Sequence, residues 1–269
     1  MKVWFITGTS RGFGLIWTKA ALERGDKVAA TARDLAPLDA LVAQYGDAIL
    51  PLKLDVTDKA AVTAAVNQAH QHFGRLDVIV NNAGYGHMGY LEELTEDEIR
   101  AQFETNVYGP IWVAQAALPI LRAQGSGHII QVSSLSGLTA SGGMGLYSGS
   151  KWALEGMSEA LAQEVRKFGI SVTLIEPGGY ATGFGTAGRK NSAVHPAYVE
   201  SHEKLGKLLA TSAGSDAEES VAAIMKVVDS EKPPVRLLLG NQAVDVLHGM
   251  YDRRLAHFRE WEDVSRSAG

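Results

Sequence analysis

Apolar and polar positions along the chain alternate between two periods. Short runs rich in β-branched and aliphatic residues occur at Val3–Thr7, Lys27–Thr31, Ile49–Leu54, Val78–Asn81, His128–Val132, Ser171–Ile175 and Arg236–Leu239. Between them, apolar residues at helical spacing predict helices over Phe13–Arg24, Lys59–Phe73, Glu96–Asn106, Gly109–Ala123, Tyr147–Phe168 and Asp216–Asp229. Strands that alternate with helices make successive βαβ units, whose parallel sheet is covered on both faces. The expected fold is α/β, a doubly wound, seven-stranded parallel sheet with helices on both faces, in a single domain over residues 1–269. Thr57 ahead of Asp58, and Thr95 three residues before Glu98, read as helix N-terminal caps. Gly25, Gly46, Gly74 and Gly169 read as element ends.

Two segments stand apart. Residues 178–215, rich in Gly, Ala and Ser with His195-Pro196 inside, predict a long irregular excursion, either a substrate loop or lid, or a merely variable surface loop. Residues 242–262 form an amphipathic candidate, with Val244, Leu247, Tyr251, Leu255 and Phe258 at helical intervals through Trp261. That helix could cover a pocket, form a subunit contact or pack on its own sheet.

Composition narrows the function classes. A net charge of −5 gives no electrostatic footprint for nucleic acid or an anionic membrane. No apolar run is long enough to span a bilayer. The absence of cysteine removes disulfides, thiolate catalysis and sulfur-ligated metals. A strand that reaches a glycine turn by Gly8 leaves no room for a signal peptide, so a cytoplasmic location is expected.

In an open parallel sheet, ligands bind beyond the carboxyl ends of the strands. The unusual residues of this chain fall there. After the first strand comes TGTSRGFG, Thr7 to Gly14, running into an apolar helix. Its glycines allow close approach of a pyrophosphate to a helix N-terminus, although the same glycines would also serve a tight turn. Tyr147 and Lys151, four apart at a helix start, share one face. A nearby ammonium is expected to lower the phenol from its ordinary value near ~10, which suits proton exchange; a buried Tyr beside an exposed Lys is the alternative.

TGTSRGFG, LDV at Leu54–Val56, NNAG at Asn81–Gly84 and YSGSK at Tyr147–Lys151, in this order, resemble the short-chain dehydrogenase/reductase family, a Rossmann-like fold. The likeness runs from Thr7 to Thr182, about two-thirds of the chain. It implies a catalytic set of Asn106, Ser134, Tyr147 and Lys151. Asn106, in TNVYG, would bend a helix and hold water beside the lysine; an ordinary helix-terminating Asn is the alternative. Ser134, in VSSLSG, would polarise the substrate oxygen, where a turn serine is the alternative. The cofactor would lie on Gly8, Ser10, Arg11, Gly12, Phe13, Gly14, Arg33, Asp55, Val56, Asn82, Ala83 and Gly84, on Tyr147 and Lys151, and on Pro177, Gly178 and Thr182 of PGGYATGF. Asp55 would hold the adenine amino group, unless it only shapes a turn, and Asn81 would buttress the central strand.

The second strand ends at Ala32, where an NAD-selecting acid would sit, and Arg33 follows, where NADP enzymes place a phosphate-binding arginine. NADP(H) is therefore expected over NAD(H), with Asp34 the competing carboxylate. His87, Met88, Met144, Tyr180, Phe184 and Tyr198 are candidates for a mainly apolar substrate pocket. Gly142, Gly143 and Gly145 would leave room there for a bulky ketone. His87 and His195 do not cluster with other ligands, so no metal site is expected.

The resemblance implies hydride transfer between NADPH and a ketone or aldehyde, or the reverse oxidation of a secondary alcohol, with Tyr147 as general acid/base. It also implies a homodimer or homotetramer through the helices Gly109–Ala123 and Tyr147–Phe168. A non-catalytic NADP-binding redox sensor is the rival reading, although a sensor has no need of a Ser–Tyr–Lys set. An epimerase or dehydratase would devote more length to a nucleotide-sugar domain.

Overall fold

In the computed structural model, residues 1–184, 188–211 and 214–269 are described. The chain runs β1 (Val3–Thr7), α1 (Gly12–Glu23), β2 (Lys27–Ala32), α2 (Asp39–Tyr45), β3 (Ile49–Lys53), α3 (Lys59–Phe73), β4 (Val78–Asn81) and β5 (Gly86–Met88). It continues through α4 (Glu96–Phe103), α5 (Gly109–Gln124), β6 (Gly127–Val132), α6 (Gly145–Val165), β7 (Ile170–Pro177), β8 (Arg189–Asn191) and α7 (Val199–Thr211). The remainder is α8 (Ser220–Asp229), β9 (Arg236–Leu239), α9 (Asn241–Glu260) and α10 (Glu262–Arg266).

β1 is buried along its whole length, and its alternate residues feed two cores. Val3 and Phe5 pack with Val62 and Val66 of α3 and Val113 and Leu121 of α5. Trp4 and Ile6 face the other way, onto Trp17 and Ala21 of α1 and Ile224 and Val228 of α8. Each fully buried large side chain contributes about 1.5–3 kcal/mol, so one short strand anchors both layers.

The main sheet has seven parallel strands in the order β3-β2-β1-β4-β6-β7-β9. Strand order reverses between β1 and β4, which opens a crevice at their carboxyl ends. The expected strand and helix set is present, with helices on both faces. The Thr95–Glu98 capping box is present too: Glu98 N donates to Thr95 Oγ1 at 3.2 Å and Thr95 N to Glu98 Oε2 at 2.9 Å. The first cap needs correction. Asp58, not Thr57, caps α3, accepting from Ala61 N at 2.9 Å, while Thr57 is tied back to Asp55.

Residues 178–215 are only partly irregular among the described residues. They contain β8, which pairs in parallel with β5, and the helix α7, with Leu205 buried. Within that stretch, residues 185–187 and 212–213 lie outside the described residues. The two helices expected over Glu96–Asn106 and Gly109–Ala123 join through a π-helical turn, Glu104–Tyr108.

Candidate active site

The glycine turn after β1 is held from below. Asn82 Nδ2 donates to the carbonyls of Thr7 and Gly8, both at 2.9 Å, and the amides of Asn82 and Ala83 donate to Thr7 Oγ1 at 3.0 Å. A Cβ on Gly14 would come 2.5 Å from Asn82 Nδ2 and closer still to the Gly8 carbonyl. Gly12 has φ +56°, and a Cβ there would meet the Thr182 carbonyl at 3.0 Å. The loop after β7 therefore closes onto the turn, bringing Thr182 beside Gly12. Arg11 caps α1 without a side-chain hydrogen bond to the helix, and no acid occupies the first turn, so the amides of that turn face outward. This cradle fits an anionic pyrophosphate.

The other proposed contacts line the same sheet edge. Arg33 is exposed one residue beyond β2. Asp34 Oδ1 accepts from Ala36 N at 3.1 Å and so shapes its own turn. Asp55 is exposed after β3, and its Oδ1 accepts from the Thr57 amide and hydroxyl at 3.0 and 2.9 Å. Val56 is buried beside it. Asn81 Nδ2 reaches the Pro110 carbonyl at 3.4 Å. Gly178 N donates to Leu239 O at 3.1 Å, fixing Pro177 and Gly178 at the end of β7. Phe13 turns its ring into the core, stacked on Trp17 at 5.0 Å, which leaves its backbone for the crevice.

Tyr147 and Lys151 stand in the first turns of α6, and both are buried. Lys151 Nζ donates to Val132 O at the end of β6, 2.7 Å away, and lies 5.9 Å from the Tyr147 ring centre. Burial pushes Lys151 down to about 8, with the Glu155 carboxylate one turn on opposing the shift. Burial pushes Tyr147 up to about 12, and the Ser134 side chain beside it partly offsets the rise. The expected lowering of the phenol by the ammonium is thus corrected. Desolvation of the phenol is the larger effect.

Asn106 lies in the π turn that interrupts the path from α4 to α5 rather than at an ordinary helix end. Its Oδ1 accepts from Tyr85 N at 3.1 Å, and its Nδ2 donates to Tyr85 O at 2.9 Å and Ser150 Oγ at 3.2 Å. The amide braces the β4–β5 loop against α6. Gly84 fits between, where a Cβ would meet Asn106 Oδ1 at 3.2 Å and Lys151 Nζ at 3.8 Å.

The structure divides the expected substrate residues. Phe184 reaches Tyr147, with ring centres 5.3 Å apart, and Met144 sits at the start of α6. Tyr198 stacks on Tyr90 at 4.5 Å. Tyr180 is a correction: it packs edge-on against Phe13 at 5.2 Å and lies over Gly240. His87 is a second, because its ring is 1 % exposed and its Nε2 pairs with Ser192 Oγ at 2.8 Å, beside Glu98. Met88 is likewise buried in β5. Of the three glycines expected to leave room, Gly143 is the crowded one. Tyr90 lies 3.5 Å from a Cβ on Gly142 or Gly143, and Leu205 crowds Gly143; only Gly145 faces open space.

Residues missed from sequence are Tyr90, Glu93, Ser192 and His202. Glu93 accepts from the amides of Tyr90 and His195 at 2.6 and 2.9 Å and pairs with His202 at 2.9 Å, binding α7 to the loop before α4. His195, Tyr198 and His202 at helical spacing were the available signal. Among the described residues no acid–histidine cluster could hold a metal, and no helix is long and apolar enough to cross a membrane.

Residues 2–193 match the family model described as short chain dehydrogenase. The chain is 41% identical over 268 residues to oxidoreductase BOA17 of Botryotinia fuckeliana, covering 98% of each. It is 37% identical over 244 residues to a 3-ketodihydrosphingosine reductase of Bacteroides thetaiotaomicron, covering 89% of this chain and 88% of the relative. A solved short-chain dehydrogenase from Streptomyces avermitilis superposes with a TM-score of 0.94 at 42% identity, over 100% of both chains. A 3-ketoacyl-(acyl-carrier-protein) reductase from Brucella melitensis, complexed with NADH, superposes at TM-score 0.76 and 25% identity, over 88% of this chain and 96% of that one. A Burkholderia cenocepacia short chain dehydrogenase in complex with NADP does so at 0.77 and 26%, over 97% and 98%. With its matching model, full-length relatives and fold, the chain belongs to the short-chain dehydrogenase/reductase family of oxidoreductases.

Proposed function

We propose that this oxidoreductase is an NADP(H)-preferring carbonyl reductase, interconverting a ketone or aldehyde and its alcohol. The observation that carries the reading is the convergence of Ser134, Tyr147 and Lys151, two of them buried, beside the crevice that the glycine turn opens. The nicotinamide, when bound, gives or takes the hydride. Tyr147, held protonated by burial, supplies a proton to the carbonyl oxygen as the C–H bond forms, and takes one back in the oxidative direction. The Ser134 hydroxyl donates a second hydrogen bond to that oxygen. Lys151 spends one of its three donors on Val132 O and keeps two for the ribose hydroxyls. Asn106 keeps the Tyr85 loop and α6 in register.

NADP(H) is favoured by Arg33, whose guanidinium can pair bidentately with a 2′-phosphate, and by Ala32, which leaves no acid at the strand end. Relatives bound to NADH and to NADP both exist, so this choice rests on those two residues. The ketone reductase among the relatives supports the substrate class. Phe184, Met144 and the Tyr90–Tyr198 stack supply apolar walls, and the segment 178–215 acts as the substrate loop. α5 and α6, with Trp152 and Met157 exposed, pair with a second copy as in the family.

The test is consumption of NADPH across a ketone panel, followed by absorbance. Wild type should oxidise NADPH with at least one ketone, and Tyr147→Phe should bind NADPH with wild-type affinity but turn over none. Tight cofactor binding without turnover by the wild type would make the chain a sensor. Near-wild-type reduction by Tyr147→Phe would remove the phenol from the mechanism.

A further inference from the structure

The buried face of α6 is not apolar. Tyr147, Lys151 and Glu155 follow one another at intervals of four along it, all buried, and Glu159 carries the row out to the surface. The proposed chemistry uses the first two. A carboxylate shut in behind them is costly to desolvate, and well-packed apolar side chains in place of such a cluster are often as stable or more so. Stability therefore does not account for Glu155.

Glu155 is held from three sides. Arg236 of β9 sets its Nε 3.0 Å from Glu155 Oε2, and the same guanidinium meets Glu159 at 2.8 Å and Glu176 of β7 at 3.4 Å. One cation thus serves three acids. Glu159 is exposed, and Glu176, pushed up to about 8, carries a proton through neutral pH. On the second side, a Cβ on Gly137 would come 3.2 Å from Glu155 Oε1 and 2.6 Å from Ser133 Oγ, so these two oxygens share the space behind the Ser134 turn. On the third side stands Lys151, whose Nζ is bonded to Val132 O, the carbonyl joined to the Ser133 amide. From α4 and the π turn come the neutral amides of Gln102 and Asn106, both directed at Ser150.

These neighbours act on Glu155 in opposite senses. Burial pushes it above the usual carboxylate range, while the Ser133 hydroxyl, Arg236 and the Lys151 ammonium favour its ionised form. Lys151 needs the charge in return. Its ammonium is buried on a neutral carbonyl, and burial already draws it down to about 8 against the pull of Glu155. Glu155 is the acid one turn away, and Glu176 beyond it is protonated until about pH 8.

We propose that Glu155, clamped by Arg236, is a positioning residue for the reaction: its carboxylate is the counter-charge that keeps Lys151 an ammonium, and its approach to Ser133 steadies the strand end that carries Ser134. The inference rests on the proposed role of Lys151, but it can be read on the lysine itself. In protein whose lysines carry carbon-13 at Cε, the Lys151 resonance, assigned by its loss in Lys151→Arg, should titrate at about 8. A nearby opposite charge is worth about one pKa unit or more, so the midpoint should fall by at least that in Glu155→Gln. Glu155→Asp, which keeps the charge, should fall less than half as far, and Glu176→Gln should leave the midpoint in place. With the ammonium lost earlier, kcat/KM of Glu155→Gln for ketone reduction should be about fivefold below wild type at pH 8 and within about twofold at pH 6. In the wild type the same resonance should show a smaller step above pH 4.5 as Glu155 ionises, a check that needs no substitution. A folded Glu155→Gln with the wild-type midpoint, an Asp variant displaced as far as the Gln variant, or a wild-type lysine without that step would each overturn the pairing. A midpoint that falls in Glu155→Gln, in a protein that reduces no ketone, would support the pairing and refute the reductase reading.

Discussion

Gly14→Ala is the sharpest test of how the fold builds its cofactor cradle. The added methyl would sit 2.5 Å from Asn82 Nδ2 and nearer to the Gly8 carbonyl, where contacts under about 3.0 Å are not tolerated. Neither neighbour can swing away cheaply, because Asn82 Nδ2 is bonded to that carbonyl and to Thr7 O at 2.9 Å. At least half an ångström must open between β1 and α1. Overpacking of this kind costs about 1–3 kcal/mol. Alanine's better helix propensity returns up to about 1 kcal/mol at this position within α1, so the clash wins by roughly 1–2 kcal/mol. For a chain of this size that lowers Tm by roughly 2–8 °C. The same opening displaces the α1 amides from the crevice, and a loss of about 1.4 kcal/mol there weakens NADPH binding about tenfold. Gly206→Ala is the control: its Cβ would meet nothing within 4 Å, in the exposed part of α7, so it should stabilise by up to about 1 kcal/mol. Differential scanning fluorimetry with and without NADPH, and fluorescence titration of NADPH, measure both terms. A Gly14→Ala protein with wild-type Tm and Kd would refute the packing argument.

Three further outcomes are set by the electrostatics. With Lys151 at about 8 and Tyr147 at about 12, reductive kcat/KM should be level below pH 8 and fall above it as the ammonium is lost, with no second break before pH 11; a break near 10 would contradict the burial of Lys151. Arg33→Ala should lower the NADPH-to-NADH ratio of kcat/KM at least tenfold, the worth of one charge-assisted contact, and an unchanged ratio would remove Arg33 from cofactor choice. Glu176, 1 % exposed beside Glu155, is pushed up to about 8, so the native state holds a proton that the unfolded chain releases near 4.5, and stability should fall as pH rises from 4.5 to 8. Glu176→Gln should flatten that decline in Tm between pH 5 and 8.5; parallel curves for the two proteins would refute the shift.

Much of this was legible in sequence because it is local. The glycine turn, the strand periods and the Thr95–Glu98 cap depend on residues a few positions apart. What failed depended on distant partners. His87 read as a pocket residue because nothing near it in sequence shows that Ser192, 105 residues on, takes its Nε2. Tyr180 lies in a motif loop, but Ala181 N and Ser215 N bond across to Ser215 O and Gly179 O at 2.9 and 3.0 Å, and the ring is left facing Phe13. The helix α7 was hidden by Gly206 and its flanking glycines and serines, and the three-residue β5 and β8 are too short to show a period. Spacing placed Lys151 one turn from Tyr147. It could not show that Val132 O holds the ammonium, nor how fully the fold buries the phenol, and burial sets the direction of the phenol's shift.

The chain's net acidity runs against binding a dinucleotide carrying several negative charges, yet the acids are not where the ligand would be. Of the carboxylates nearest Lys151, Glu155 and Glu176 are buried behind α6. Arg236 meets Glu155 at 3.0 Å, Glu159 at 2.8 Å and Glu176 at 3.4 Å. Burial raises both Glu155 and Glu176, so at neutral pH this cluster carries less negative charge than its residue count, and Arg236 offsets part of the rest. The crevice side holds the α1 amides, Arg11, Arg33 and the Lys151 ammonium. Of the carboxylates on this edge, Asp55 has an oxygen committed to Thr57 and Asp34 has one committed to Ala36 N. The local field at the sheet edge is therefore set by these groups rather than by the net charge of −5, and it favours an anionic ligand. Neutralising Arg33 or opening the turn at Gly14 acts on that edge, whereas Glu176→Gln acts behind it, which is why the first two should change nucleotide affinity and the third chiefly stability.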